Sequence, residues 1–261
     1  MTRLSGKVVA ITGAGSGIAK AAAHLFAAQG AEVALLELEA PLGQEVASEI
    51  NAAGGKALFV QTDVTIAESV DGAMKAVASH FGRLTTLFNC AGGSTAEDTQ
   101  VTDVDLSVWD HTIALDLKGP FLCCRYGIPY LLDAGGGTII NVSSVAALKG
   151  NFPALVYSTA KGGVISLTRA LAGQYSRHGI RSNAICPGVI MTERVRSRFG
   201  ESLDAGTSDQ ARSASAAGMQ RYPFGIGEPE DIANIALFLA SDESRMINGA
   251  VIPAEGGMSV Y

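Results

Sequence analysis

The chain has 261 residues, 48% hydrophobic and 17% charged, and its 31 glycines are scattered instead of forming a periodic block, a composition that points to a globular protein rich in tight turns. Its formal net charge of −6, with no long basic run, argues against a nucleic-acid partner. Apolar stretches are broken every few residues, and the opening MTRLSGK lacks the apolar run of a secretion signal, so no membrane association and a soluble, cytoplasmic protein are expected.

In chain order, Lys7 to Thr12 is a short β-branched run, followed by the turn Gly13-Ala14-Gly15-Ser16-Gly17 and a helix from Ile18 to Gln29. Glu32 to Leu36 is a second strand, and Pro41 opens a helix that runs to the Gly54-Gly55 break. Strand and helix then alternate: Lys56 to Val60, Ile66 to His80, and Leu84 to Phe88 as the fourth strand. A long helical region from Leu106 to Leu132 is expected to bend or divide at Pro120 or Pro129. Strand Thr138 to Val142, helix Val156 to His178, strand Ile180 to Ile185, helix Pro229 to Ala240 and strand Ala250 to Pro253 complete the series. Seven strands separated by helices, several of them continuously apolar, describe an α/β chain: one Rossmann-like, doubly wound domain over residues 1–261, with helices on both faces of a parallel sheet. The stretch from Val189 to Tyr222 follows no sustained period. It emerges where a parallel sheet binds its ligands, which makes it the expected substrate-binding segment, with an ordinary surface insertion as the alternative.

The first turn places Gly13, Ser16, Gly17 and Ile18 where a side chain would otherwise block a phosphate approaching the helix N-terminus. Glu37, 20 residues beyond Gly17, can accept hydrogen bonds from the adenosine ribose hydroxyls of NAD and would repel the extra phosphate of NADP, although Glu39 stands equally near. Asp63, followed by Val64, either accepts from the adenine amine or caps the next helix. Asn89, Ala91 and Gly92 follow the fourth strand, where small residues let the backbone pass beneath a cofactor; Asn89 could instead tie strand ends together. Pro187, Gly188 and Val189 follow the sixth strand. Thr192 beyond them either binds the nicotinamide carboxamide or caps a helical turn.

Tyr157 and Lys161 lie four apart in a helical segment and so share one face, where an ammonium favours the phenolate. Ser143 and Ser144 end the fifth strand at the same sheet edge, and a serine hydroxyl there can hold a substrate oxygen while tyrosine takes its proton. Cys90, Cys123, Cys124 and Cys186 match neither a zinc site nor a disulfide scaffold, and the four histidines are scattered, so no metal is expected.

With TGAGSGIA at 12–19, DV at 63–64, NCAG at 89–92, NVSS at 141–144, YSTAK at 157–161 and PG at 187–188, the chain resembles the short-chain dehydrogenase/reductase family over Leu4 to Gly257. The resemblance implies strand order 3-2-1-4-5-6-7 and a homotetramer or, as the smaller assembly, a homodimer. It also implies a catalytic set of Ser144, Tyr157 and Lys161, the lysine holding the nicotinamide ribose, with Ser143 structural. Two positions depart from the pattern: Ala19 replaces a glycine of the cofactor turn, and Asp116 replaces the catalytic asparagine, keeping its size while losing its amide donor. An ionised Asp116 would reinforce the lysine charge, whereas a protonated one would mimic part of the amide. The reaction implied is NAD-dependent interconversion of a small-molecule secondary alcohol and its ketone. The alternatives are a carbonyl reductase of the 3-oxoacyl reductase type, working mainly toward the alcohol, and a noncatalytic dinucleotide-binding protein.

Overall fold

The computed structural model describes residues 2–150, 152–197, 224 and 226–260. A single parallel sheet of order β3-β2-β1-β4-β5-β6-β7 is built from β1 (Val8–Thr12), β2 (Glu32–Glu37), β3 (Lys56–Gln61), β4 (Thr86–Asn89), β5 (Gly137–Val142), β6 (Ile180–Pro187) and β7 (Val251–Ala254). The intervening helices are α1 (Gly17–Ala28), α2 (Ala40–Ala52), α3 (Ala67–Phe81), α4 (Leu106–Ile113), α5 (Gly119–Asp133), α6 (Leu155–Tyr175) and α7 (Pro229–Ala240). The strand order and the two helical layers are those expected from the sequence.

Both faces of the central sheet are buried, which is why β1 and β2 read as largely apolar runs. Val9, Ile11, Val33, Leu35 and Phe88 face α1, α2 and α7. Val8, Ala10, Ala34, Leu36 and Leu87 face α3 and α5. The chain runs outward from β1 to β3 and then crosses back to β4, leaving a crevice beyond the carboxyl ends of β1 and β4.

The long helical region divides beside the first of its two prolines, as expected: the break falls just before Pro120, in a π-helical turn at Ala114–Lys118 whose closing bond runs from the Gly119 N–H to the Ala114 carbonyl. Pro120 explains it: it has no N–H for the carbonyl four residues back, so the backbone widens instead of continuing as α-helix. Pro129 sits inside α5 without dividing it. Asp116 therefore occupies the one π turn among the described residues, at full burial. Among the described residues, no helix is long and apolar enough to cross a membrane, and no group of three His, Cys, Asp or Glu side chains could hold a metal ion.

Candidate active site

A cleft of about 490 Å³ opens at the crevice and brings together Gly13, Ser16, Gly17, Ile18, Glu37, Asp63, Val64, Ala91, Gly92 and Thr192. Its floor is the glycine turn. Gly13 (φ +68°) and Gly17 (φ +52°) take left-handed conformations, and a Cβ on Gly17 would come 2.9 Å from Thr192 Cγ2. The N-terminus of α1 carries no side-chain cap and no acidic residue in its first turn, so its free N–H groups and positive end face the cleft. These features fit the pyrophosphate of a dinucleotide.

Glu37 ends β2 at the cleft wall. Its Oε2 accepts from the Gly15 N–H at 2.9 Å, and its Oε1 accepts from the Leu38 and Glu39 N–H groups at 2.8 and 3.1 Å. Those bonds distinguish it from the exposed Glu39 and fix a carboxylate beside the turn. Asp63 Oδ1 accepts from the backbone and hydroxyl of Thr65, at 2.8 and 2.7 Å, so it shapes the turn before α3 while still lining the cleft. Thr192 likewise does both: it lines the cleft, and its Oγ1 accepts from Val195 N at 3.3 Å at the start of a helical turn at 193–197.

Four expected contacts do not line this cleft. Asn89 is buried behind the cleft, donating to Asn141 Oδ1 at 2.8 Å, which ties β4 to β5 as the alternative reading had it. Pro187 closes β6, while Gly188 and Val189 line a second cavity of about 390 Å³ with Pro253 and Glu255. Of the segment from Val189 to Tyr222, residues 189–197 are in view, and the rest of it lies outside the described residues. Arg194 caps the cleft, its Nη1 donating to the Gly92 carbonyl at 3.3 Å. Arg196 pairs with Glu228 at 2.9 Å.

Beyond Gly92 stands the second half of the site. Lys161 and Asp116 form a buried ion pair, Nζ to Oδ1 3.0 Å, with side-chain exposures of 3% and 0%. Lys161 Nζ also donates to the Val142 carbonyl at 3.1 Å, and Asp116 Oδ1 accepts from the Gly93 N–H at 2.9 Å. A Cβ on Gly92 would collide with Asp116 Oδ1, so glycine there is what lets the pair close against the backbone. Burial by itself pulls the Lys161 ammonium down, but the Asp116 carboxylate, with Tyr157 adding to it, outweighs burial and holds it above the ordinary lysine value. The lysine nitrogen lies 5.5 Å from the centroid of the Tyr157 ring, one helical turn away on α6.

The two serines separate by their bonds. Ser143 Oγ donates to the Lys161 carbonyl at 2.8 Å, which engages its only proton. Ser144 Oγ accepts from Ala146 N at 3.1 Å, which leaves its own proton free to donate outward. Phe152 stands near Tyr157, ring centroids 6.5 Å apart. Cys90 borders the cleft, and burial pushes its thiol up to about 12, so a thiolate nucleophile is not on offer at neutral pH.

Sequence reasoning missed Asp98. This residue is buried although its neighbours Glu97 and Thr99 are exposed, and it accepts from the backbone N–H groups of Val156 and Tyr157 at 3.0 and 2.8 Å. Its partners are 58 and 59 residues away in the chain, so no local pattern announces it.

A dinucleotide cleft at the switch point of a parallel sheet, adjoining a half-buried tyrosine beside a buried lysine, defines an oxidoreductase site. The chain belongs to the short-chain dehydrogenase/reductase family: residues 13–259 match a family model described as enoyl-(acyl carrier protein) reductase. It is 36% identical over 258 residues to 2-(S)-hydroxypropyl-CoM dehydrogenase 3 of Xanthobacter autotrophicus, covering 98% of each chain. It is 37% identical to the 2,5-dichloro-2,5-cyclohexadiene-1,4-diol dehydrogenase LinX of Sphingobium indicum, covering 99% of this chain and 98% of that one. A crystal structure of a short-chain type dehydrogenase/reductase from Mycobacterium marinum superposes with a TM-score of 0.89 at 31% identity, covering 100% of this chain and 98% of that one. The protein is accordingly an enzyme, a dinucleotide-dependent oxidoreductase with a small-molecule substrate.

Proposed function

We propose that this enzyme interconverts a secondary alcohol and its ketone with NAD, using Tyr157 as the general acid/base, Lys161 as its electrostatic support and Ser144 as the hydrogen-bond donor to the substrate oxygen. The observation that carries this reading is the buried Lys161 ammonium, held by Asp116 and the Val142 carbonyl, one helical turn from Tyr157. A fixed positive charge in a water-poor site stabilises negative charge that develops on a neighbouring oxygen more than it would in solvent. In the oxidative direction the phenolate of Tyr157 takes the hydroxyl proton, while the free proton of Ser144 holds the oxygen in place through the change to a carbonyl. Bound in the cleft, the nicotinamide supplies the acceptor for the carbinol hydride, and Lys161, Thr192 and the turn at Pro187, Gly188 and Val189 are the residues that would orient its ribose and carboxamide.

The choice of NAD rests on Glu37. Its carboxylate is locked at the cleft wall by three backbone N–H groups and would meet a 2′-phosphate with like charge. Secondary-alcohol chemistry agrees with the names of the two dehydrogenase relatives, which print a hydroxypropyl group and a diol. A homotetramer or homodimer goes with this reading, and the exposed Leu106, Trp109 and Phe121 on α4 and α5 are apolar surface that such an assembly would cover.

The test is a panel of secondary alcohols and their ketones, among them cyclohexanol, trans-1,2-cyclohexanediol and 3-hydroxybutyrate, followed by NADH absorbance with NAD and NADP side by side. Tyr157→Phe should abolish turnover while NADH still binds. Turnover retained by that variant would remove the tyrosine from the mechanism.

A further inference from the structure

The loop that follows β4 reaches Tyr157 directly and Lys161 through Asp116. At its start the Gly93 N–H is bonded to Asp116 Oδ1, and the same oxygen holds Lys161. Five residues later Asp98 turns into the protein and grips Val156 N and Tyr157 N, one with each carboxylate oxygen. Residues 93–98 thus form a strap from the lysine side of the site to the tyrosine side.

The anchoring by Asp98 replaces something α6 lacks. Its own N-cap, Ala154, makes no side-chain cap, and no acidic residue lies in its first turn. The first N–H groups of a helix have no intrahelical acceptor, and those left buried without one are destabilising. Here a carboxylate from a distant loop supplies the cap in bidentate form, and one of the two N–H groups it takes belongs to Tyr157 itself. Asp98 is 5% exposed, so these bonds are sheltered from competing water. Among the described residues Asp98 has no cationic partner; the N–H groups and positive end of α6 compensate its charge.

We infer that Asp98 is a positioning residue for the reaction: by clamping the backbone of Tyr157 at the start of α6 it holds the phenol in register with Lys161 and Ser144. The inference rests on the catalytic role proposed for Tyr157. Its consequence is a selective one. Losing the clamp should let the first turn of α6 move, and displacement of a reacting group by even an ångström costs up to about a hundredfold in rate. The dinucleotide cleft, which Asp98 does not line, should be unaffected.

The experiment compares the wild-type enzyme with Asp98→Ala, Asp98→Asn, Tyr157→Phe and Asp105→Ala, using the fastest alcohol of the panel above. Asp105 caps α4 by accepting from Ser107 N at 2.7 Å, so its removal also costs a helix cap, at a place remote from Tyr157 in the chain. Asp98→Ala is expected to lower kcat about tenfold or more while the NADH dissociation constant, read by fluorescence, stays within about twofold. Asp98→Asn keeps one acceptor oxygen and should fall between; it also decides the matter if Asp98→Ala does not fold. Asp105→Ala should lose melting temperature with kcat unchanged. Amide exchange in the peptide spanning residues 154–160 should quicken in both Asp98 variants and not in Asp105→Ala.

Asp98 variants that lose only melting temperature, with kcat kept below the transition, would overturn the inference and leave Asp98 as a plain cap. If Tyr157→Phe is inactive in that same experiment, the proposed function still stands. If Tyr157→Phe turns over, both readings fall together.

Discussion

Asp116→Asn restores the residue that the family pattern places at this position, and the buried pair makes its effect calculable. At 3.0 Å, and with an effective dielectric constant of about 20, the attraction between Asp116 and Lys161 is about 5 to 6 kcal/mol before the desolvation of either group is subtracted. An asparagine oxygen could still accept from Lys161 Nζ and the Gly93 N–H, so the variant keeps the bonds and loses the negative charge of the acceptor, and the expected loss is about 1–2 kcal/mol at pH 7. The pH dependence has a definite sign. In the wild-type enzyme Lys161 is held above its ordinary value of 10.5, so its contribution to stability is complete below that pH and is lost as pH rises through the higher folded value. In the variant the carboxylate that opposed burial is gone, and burial, the largest single influence, should hold the ammonium below 10.5. A lysine with a depressed folded value makes stability rise with pH below 10.5, because the unfolded chain then binds more protons than the native one. The gap between wild type and variant should therefore be widest near neutrality and narrow as pH approaches 10. Urea unfolding at pH 7, 8.5 and 10 measures it, and the alkaline limb of the rate profile should move to lower pH in parallel. A gap that is constant across that range, or an unchanged alkaline limb, would refute the claim that Asp116 maintains the lysine charge.

Two further outcomes follow from the bonds around the site. Glu37→Ala removes the carboxylate held by Gly15, Leu38 and Glu39, and should lower the ratio of kcat/KM for NAD over NADP by about tenfold or more, one lost charge repulsion being worth at least 1.4 kcal/mol here; steady-state kinetics with both cofactors reads it. Ser144→Ala should lose most of kcat and about 1 kcal/mol of stability, since the hydroxyl both faces outward and caps the turn at Val145–Ala147, whereas Ser143→Ala, whose hydroxyl is tied to the Lys161 carbonyl, should lose stability with a smaller change in kcat.

The fold was legible because its information is local. A strand buried on both faces is apolar along its length, and β1 is so from Val8 to Ile11; the glycine turn and α1 then follow within a few residues, at the spacing a βα unit requires. The same local logic finds Pro120 as a point of trouble in the helical region. It does not say that the backbone answers with a π turn upstream, which sets Asp116 beside Lys161 of another helix.

The site divides along the same line. Residues that act through backbone shape, such as Gly13 and Gly17, or through a fixed helical offset, such as Tyr157 and Lys161, announce themselves by spacing. Residues that act through a partner distant in the chain do not. Glu37 and Glu39 are equivalent as letters, and the N–H groups of Gly15, Leu38 and Glu39, which hold only the former, separate them. Asn89 reads as a cofactor contact until Asn141, 52 residues on, engages its amide. Asp98 lies in an exposed polar stretch and is invisible until α6 is packed against it. A change at Asp98 therefore alters no motif, yet it removes a bond on which the proposed placement of Tyr157 depends.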